Sequence, residues 1–142
     1  MDDPTERFPL HLAAMEGDLA WINHELMQNR PINEFDEFGY APLHWAVLNG
    51  HEDAASLLIA AGADVNAHDE RVIGNTPLND AADGCTLRMA RLLVDAGADP
   101  AIPGWMQLTA LYRASNRKDQ DGPAVRELLE KAVPLSRSGG AR

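Results

Sequence analysis

Little in this chain speaks for chemistry. Cys85 is the one cysteine among 142 residues, so no internal disulfide framework exists, and a reducing, cytoplasmic setting is expected. Lysine is scarce, with only Lys118 and Lys131. No apolar run approaches the length of a membrane span. The first ten residues, "MDDPTERFPL", contain neither a basic nor an apolar region of the kind a secretory leader needs, and none is expected. There is no Cys-x-x-Cys, no histidine pair one helical turn apart and no G-x-x-x-x-G-K. Neither a metal site nor a phosphate loop is therefore expected. Carboxylates are many, but no pair of them stands out from a solvated face. The expectation is no catalytic residue, no cofactor and no metal.

What the chain has is acid. The formal net charge is −10. Residues 1–100 carry 18 Asp and Glu against 5 Arg, a balance of −13, while residues 101–142 carry 7 Lys and Arg against 4 Asp and Glu, +3. Phosphate binding needs Lys and Arg, so nucleic acid and anionic membranes are not expected partners. A protein partner with a basic surface is, because opposite charge steers encounter.

The chain also repeats itself. "FPLHLAAMEGD" at 8, "APLHWAVLNGH" at 41, "TPLNDAADGCT" at 76 and "TALYRASNRKD" at 109 align, with steps of 33, 35 and 33. Twenty residues beyond the second position of the first three stand Asn29, Gly62 and Gly97. Proline suits a first helical turn, where its missing N–H would be unpaired anyway. Leu43, Ala46 and Val47 share one helical face, as do Leu57, Leu58 and Ala61. Glycine suits the left-handed position that ends a helix. Each unit is two short helices that bury an apolar face only by stacking.

This pattern resembles the ankyrin repeat over about residues 5–134, with "PLHWAVLNGHEDAASLLIAAGADVN" the nearest to the family pattern. The resemblance implies an all-α solenoid of helix–turn–helix units joined by β-hairpin loops. The repeats are set at about 5–34, 35–67, 68–101 and 102–134, the outer two acting as caps, with a flexible tail at 135–142. Trp21 is expected in the core. In the family a threonine before the proline and a histidine after the leucine support each other, and here they never coincide: His11 and His44 lack the threonine, while Thr76 and Thr109 face Asn79 and Tyr112. Modest stability is the expectation.

Such proteins generally bind through the loop tips and the exposed side of each first helix. Carried over residue by residue, that implies Glu37, Phe38, Tyr40 and Trp45 in repeat two. Repeat three contributes Arg71, Val72, Ile73, Asn75 and Asp80. Repeat four contributes Trp105, Met106, Gln107 and Arg113. Trp45 is the expected anchor, since the repeat's packing does not require an indole there and tryptophan is a frequent hot spot. The competing reading packs it on its own loop. Asp36, Glu37, Asp69, Glu70 and Asp80 would frame these anchors with acid.

The resulting expectation is a monomeric adaptor or inhibitor that binds one protein partner by occlusion or tethering. It could serve as an immunity-like neutraliser of a basic toxin or enzyme, or as an exported effector of the same fold. Two other classes are an enzyme or small-ligand binder with a pocket near Cys85, His68 or Asp80, and a homodimer joined at the apolar face. If the acidic body steers association, the on-rate for the partner falls as salt rises. A salt-independent on-rate in stopped-flow mixing would reduce the acidity to a solubility device.

Overall fold

The computed structural model describes residues 7–72 and 74–138, with residues 134–138 by backbone alone. Among the described residues four helix pairs follow one another. They are α1 (Pro9–Glu16) with α2 (Leu19–Met27), α3 (Pro42–Leu48) with α4 (Glu52–Ala60), α5 (Pro77–Ala81) with α6 (Leu87–Asp95), and α7 (Ala110–Ser115) with α8 (Gly122–Ser138). The first helices α1, α3, α5 and α7 pack side by side in one row, and α2, α4, α6 and α8 form the second. The described residues are all-helical, the architecture expected of the solenoid.

The loops differ from the hairpins expected. No strand occurs among the described residues. In repeat two the loop is closed by the Asp36 N–H to the Tyr40 carbonyl at 2.9 Å, and in repeat four by the Gly104 N–H to the Leu108 carbonyl at 2.9 Å. The chain turns back too quickly for a ladder, and side chains take over the bonding that strand pairs would supply. Helix α8 runs through Ser138, so residues 135–138 of the expected tail belong to it. Residues 139–142 lie outside the described residues.

Side-chain size explains the close stacking. Ala13, Ala46, Ala81 and Ala114 occupy one register in the four first helices, and all are at most 4% exposed. A larger side chain there would push neighbouring repeats apart. Leu10, Leu43 and Leu78, one register on the same helices, are buried too. Each fully buried leucine contributes roughly 2 kcal/mol by its transfer from water. Asn29, Gly62 and Gly97 do end their helices with positive φ, at 59°, 106° and 100°. Trp21 is half-buried and packs on the core, its Nε1–H donating to Glu25 Oε1 at 3.3 Å.

A relay of polar side chains joins repeat to repeat. His11 Nε2 donates to the Glu34 carbonyl at 2.7 Å and His44 Nε2 to the Asn75 carbonyl at 2.7 Å. A carbonyl only accepts, so both rings carry their proton on Nε2. His44 Nδ1 in turn accepts the Ala41 N–H at 3.0 Å. Asn79 does the same work with an amide. Its Oδ1 accepts the Thr76 N–H at 2.8 Å and its Nδ2 donates to the Ile102 carbonyl at 3.1 Å. Thr76 Oγ1 returns the favour to the Asn79 N–H at 3.0 Å, capping α5. The absence of a threonine–histidine pair therefore costs no hydrogen bond in repeat three. A second ladder runs on the far side of the loops. Asn33 and Asn66 accept the Asp64 and Asp99 N–H groups at 2.8 Å each, one repeat onward.

Burial of His44 pushes its pKa down from 6.5 to about 4, against the pull of its bond to the Asn75 carbonyl. The folded value lies below the unfolded one, so the unfolded chain takes the proton first. The stability contributed by neutral His44 is complete above pH 6.5 and is lost as pH falls toward 4. The loss is about 1.4 kcal/mol per pH unit, roughly 3 kcal/mol in all. His44→Asn, which supplies the same donor and acceptor as Asn79, should flatten the melting temperature between pH 6.5 and 4.5 relative to wild type. A parallel decline in both proteins would show that another group carries the effect.

Candidate interaction surface

The relay places the loops, and the loops place the candidate residues. Phe38, Tyr40 and Trp45 from repeat two, Val72 and Asn75 from repeat three, and Trp105 and Arg113 from repeat four line one open groove of about 570 Å³. All seven belong to the set inferred from sequence. Trp45, Asp80 and Arg113 stand at equivalent positions on α3, α5 and α7, immediately after His44, Asn79 and Tyr112 of the relay register.

Trp45 has an intramolecular job. It is half-buried, and its Nε1–H donates to Asp36 Oδ2 at 2.7 Å. Tyr40 meets it edge-on at 5.2 Å between centroids, and Phe38 does so at 6.2 Å. Tyr40 also stacks on His44 at 5.2 Å with an interplanar angle of 20°. Asp36 Oδ1 caps the loop by accepting the Phe38 and Tyr40 N–H groups at 2.9 and 3.1 Å. The rings thus form an ordered wall, and Phe38 at its tip remains 70% exposed.

Asn75 is the clamp of the middle repeat. Its carbonyl receives His44, its Oδ1 receives the Trp105 N–H at 2.7 Å, and its Nδ2 donates to Asp80 Oδ1 at 2.8 Å. A Cβ on Gly104 would stand 2.1 Å from Asn75 Oδ1, so only glycine admits this approach. Similarly, a Cβ on Gly39, where φ is +78°, would stand 2.4 Å from Val72 Cγ2. The tip of repeat three therefore rests on the loop of repeat two. Ile73 lies outside the described residues.

The tip of repeat four is strained. Met106 and Gln107 both adopt left-handed backbone, φ 58° and 61°. The Leu108 N–H bonds to the Trp105 carbonyl at 3.1 Å across them. That turn suits Asn and Gly, and a side chain with a Cβ costs about 1–2 kcal/mol per residue in it. The strain exposes Met106 to 67% and Trp105 to 47%. Phe38, Val72, Trp105 and Met106 make an apolar series along the loop tips. Strained backbone of this kind concentrates where a side chain must be presented.

The expected acidic frame is tied down from within. Glu37 pairs with Arg7 at 3.4 Å and Asp69 with Arg71 at 2.9 Å, and Glu70 lies 3.6 Å from the His68 ring. Asp69 is buried. Arg113 donates from Nη1 to Asp83 Oδ2 at 2.9 Å, while its Nε and Nη2 are buried with no hydrogen-bond partner among the described residues. Asp80 Oδ2 is in the same condition. Burial raises Asp80 to a pKa of about 6, opposed by the Asn75 bond and by Arg113, and reinforced by Asp83. Asp83 escaped the sequence reading, although it lies one helical turn beyond Asp80 and so reaches the same partner.

Cys85 lines a separate cavity of about 220 Å³ with Asp80, Glu52 and Met89. Burial pushes its thiol pKa up, outweighing Arg117, whose Nη1 lies 4.0 Å from Sγ. An activated nucleophile needs the opposite shift.

Comparison with known proteins agrees with this architecture. Residues 1–69 match the family model "Ankyrin repeats (3 copies)" and residues 73–105 match "Ankyrin repeat". Ankyrin repeat domain-containing protein 37 of Bos taurus is 39% identical over 64 residues, 45% of this chain and 40% of that protein. Inversin of Canis lupus familiaris is 33% identical over 115 residues, 77% of this chain and 10% of that protein. Palmitoyltransferase AKR1 of Debaryomyces hansenii is 30% identical over 99 residues, 69% of this chain and 12% of that protein. The chain thus spans less than half the length of each of these relatives. The repeat register, the stacked helix pairs and these matches agree, and the chain belongs to the ankyrin repeat family, whose repeats are protein–protein interaction modules.

Proposed function

We propose that this chain is a non-enzymatic adaptor or inhibitor that engages one protein partner through the groove of repeats two to four. The observation that carries the reading is the convergence of seven side chains from three repeats on one groove, edged by exposed Phe38, Val72, Trp105 and Met106. Exposed aromatic and aliphatic groups on an ordered scaffold supply affinity when a partner removes them from water. The ring wall of repeat two is held by Asp36, so little conformational freedom remains to be lost on binding. Occlusion or tethering follows from coverage of that surface. The elevated Cys85 pKa weighs against the enzyme reading.

The three aromatic positions separate binding from folding. Phe38→Ala and Trp105→Ala, combined, should weaken capture of the partner from its native source by about 2 kcal/mol or more while leaving the melting temperature unchanged. Trp45→Ala should weaken binding and also lower stability by about 1–3 kcal/mol, because Asp36 loses its indole donor and the half-buried ring leaves the wall. Isothermal titration of the captured partner, alongside thermal melts, reads both quantities. Undiminished affinity in the double variant would move the interface elsewhere.

A further inference from the structure

Among the described residues, the buried side-chain atoms left without a hydrogen bond all lie on two side chains: Asp80 Oδ2, and Nε and Nη2 of Arg113. The two carry opposite charge and stand at equivalent positions on α5 and α7, which pack side by side. Arg113 is close enough to Asp80 to favour its ionisation. Its ion pair is nevertheless with Asp83, from Nη1 at 2.9 Å. The Asp83 side chain is 60% exposed and that of Arg113 only 12%. The guanidinium thus reaches the rim with one nitrogen and leaves its buried edge idle. Nε–H and one Nη2–H project from that same edge. Together they are the fork that a carboxylate grips.

We infer that Asp80 and Arg113 form an alternative ion pair across the seam of repeats three and four, and that Arg113 passes between Asp80 and Asp83 as Asp80 loses and gains a proton. A buried polar atom without a partner has given up its hydration for nothing, and the pair removes three such atoms at once. Asp80 Oδ1 keeps the Asn75 amide at 2.8 Å, and Oδ2 takes the fork. Ionised, Asp80 attracts the guanidinium more strongly than Asp83 does, because water and salt screen the exposed rim. Protonated, it presents an O–H to a group that only donates, and Arg113 moves out to Asp83. Arg113 on Asp83 is the released arrangement.

The surroundings of Asp80 make it the group that operates the exchange. On the repeat-two loop, Tyr40 faces it, and Asp36 is bonded to Trp45. His44 on α3 bonds Asn75 instead, and burial keeps it neutral down to about pH 4. Glu52 of α4 and Cys85 share a cavity with Asp80. Glu52 is held by Arg88 at 3.2 Å, and burial keeps the thiol protonated. In the released arrangement burial raises Asp80 to about 6, opposed by the Asn75 bond and Arg113 and reinforced by Asp83. Pairing favours the carboxylate, so the closed pair persists somewhat below that value and opens as pH falls further. The exchange reaches the groove, because Arg113 lines it and Asp80 shares Asn75 with the Trp105 N–H.

The test is NMR of the full chain, following the Arg113 Nε–H proton and the Asp80 carboxyl carbon from pH 7.5 to 4.5. At pH 7.5 the Nε–H should lie downfield, as in a carboxylate-bonded guanidinium. It should return upfield on acidification with the midpoint of Asp80. Arg113→Lys keeps the charge and loses the fork, and should raise that midpoint by about 1 in pH. Asp80→Asn should hold the Nε–H upfield throughout, whereas Asp83→Asn should leave it downfield at pH 7.5. An Nε–H that ignores pH or Asp80→Asn, or that moves upfield at pH 7.5 in Asp83→Asn, overturns the inference. If Asp80→Asn loses its helical circular dichroism, Asp83→Asn, at a side chain 60% exposed, decides the matter alone.

Discussion

One bond is made three times, and the rest of the molecule is arranged around it. The side chain after each first-helix leucine reaches out of its own helix pair and donates to a carbonyl in the loop that leads to the next: His11 to Glu34, His44 to Asn75, Asn79 to Ile102. A loop without strands has few ways to hold a shape, because its own N–H and carbonyl groups are left without partners. Here neighbouring repeats supply those partners. The apolar stack sets the spacing of the helices, and the relay converts that spacing into loop position. At the fourth repeat the register is held by Tyr112, which is 56% exposed, and no further loop follows among the described residues.

The stacked part of the structure was open to reading because its constraints are local and periodic. Alanine at each close approach and proline at the first turn leave a repeating pattern in the letters. So do the glycines, and Asn29, at the left-handed positions. The set of groove residues was readable for the same reason, since positions equivalent by repeat must lie side by side in a stack. What escaped was the pairing within the set. Nothing in periodicity says that Asp36 holds the indole of Trp45, or that Val72 rests on Gly39. Such contacts depend on loop conformation, which does not repeat. Asn79 was legible in principle. An amide offers one acceptor and one donor, the same pair that the neutral imidazole of His44 offers. Attention to chemistry rather than to letter identity finds the equivalence.

The acidity of the chain is similarly less uniform than its net charge implies. Glu37, Asp69 and Asp83 each have an arginine partner. Such pairs remove charge from the far field of the surface. Asp36 and Asp80 instead accept hydrogen bonds from the uncharged side chains of Trp45 and Asn75.

The contact between Val72 and Gly39 gives the loop tips a shared history. Repeat units are often pictured as cassettes, each free to vary its tip while the stack stays constant. Here any side chain at Gly39 would meet Val72 at 2.4 Å, one repeat away. Asn75 and Gly104 stand in the same relation between repeats three and four. A change in one tip is therefore permitted or forbidden by the letter in its neighbour. Substitutions in these loops should show epistasis that runs along the stack. Exchanging a single repeat for one from another protein would disturb two tips rather than one.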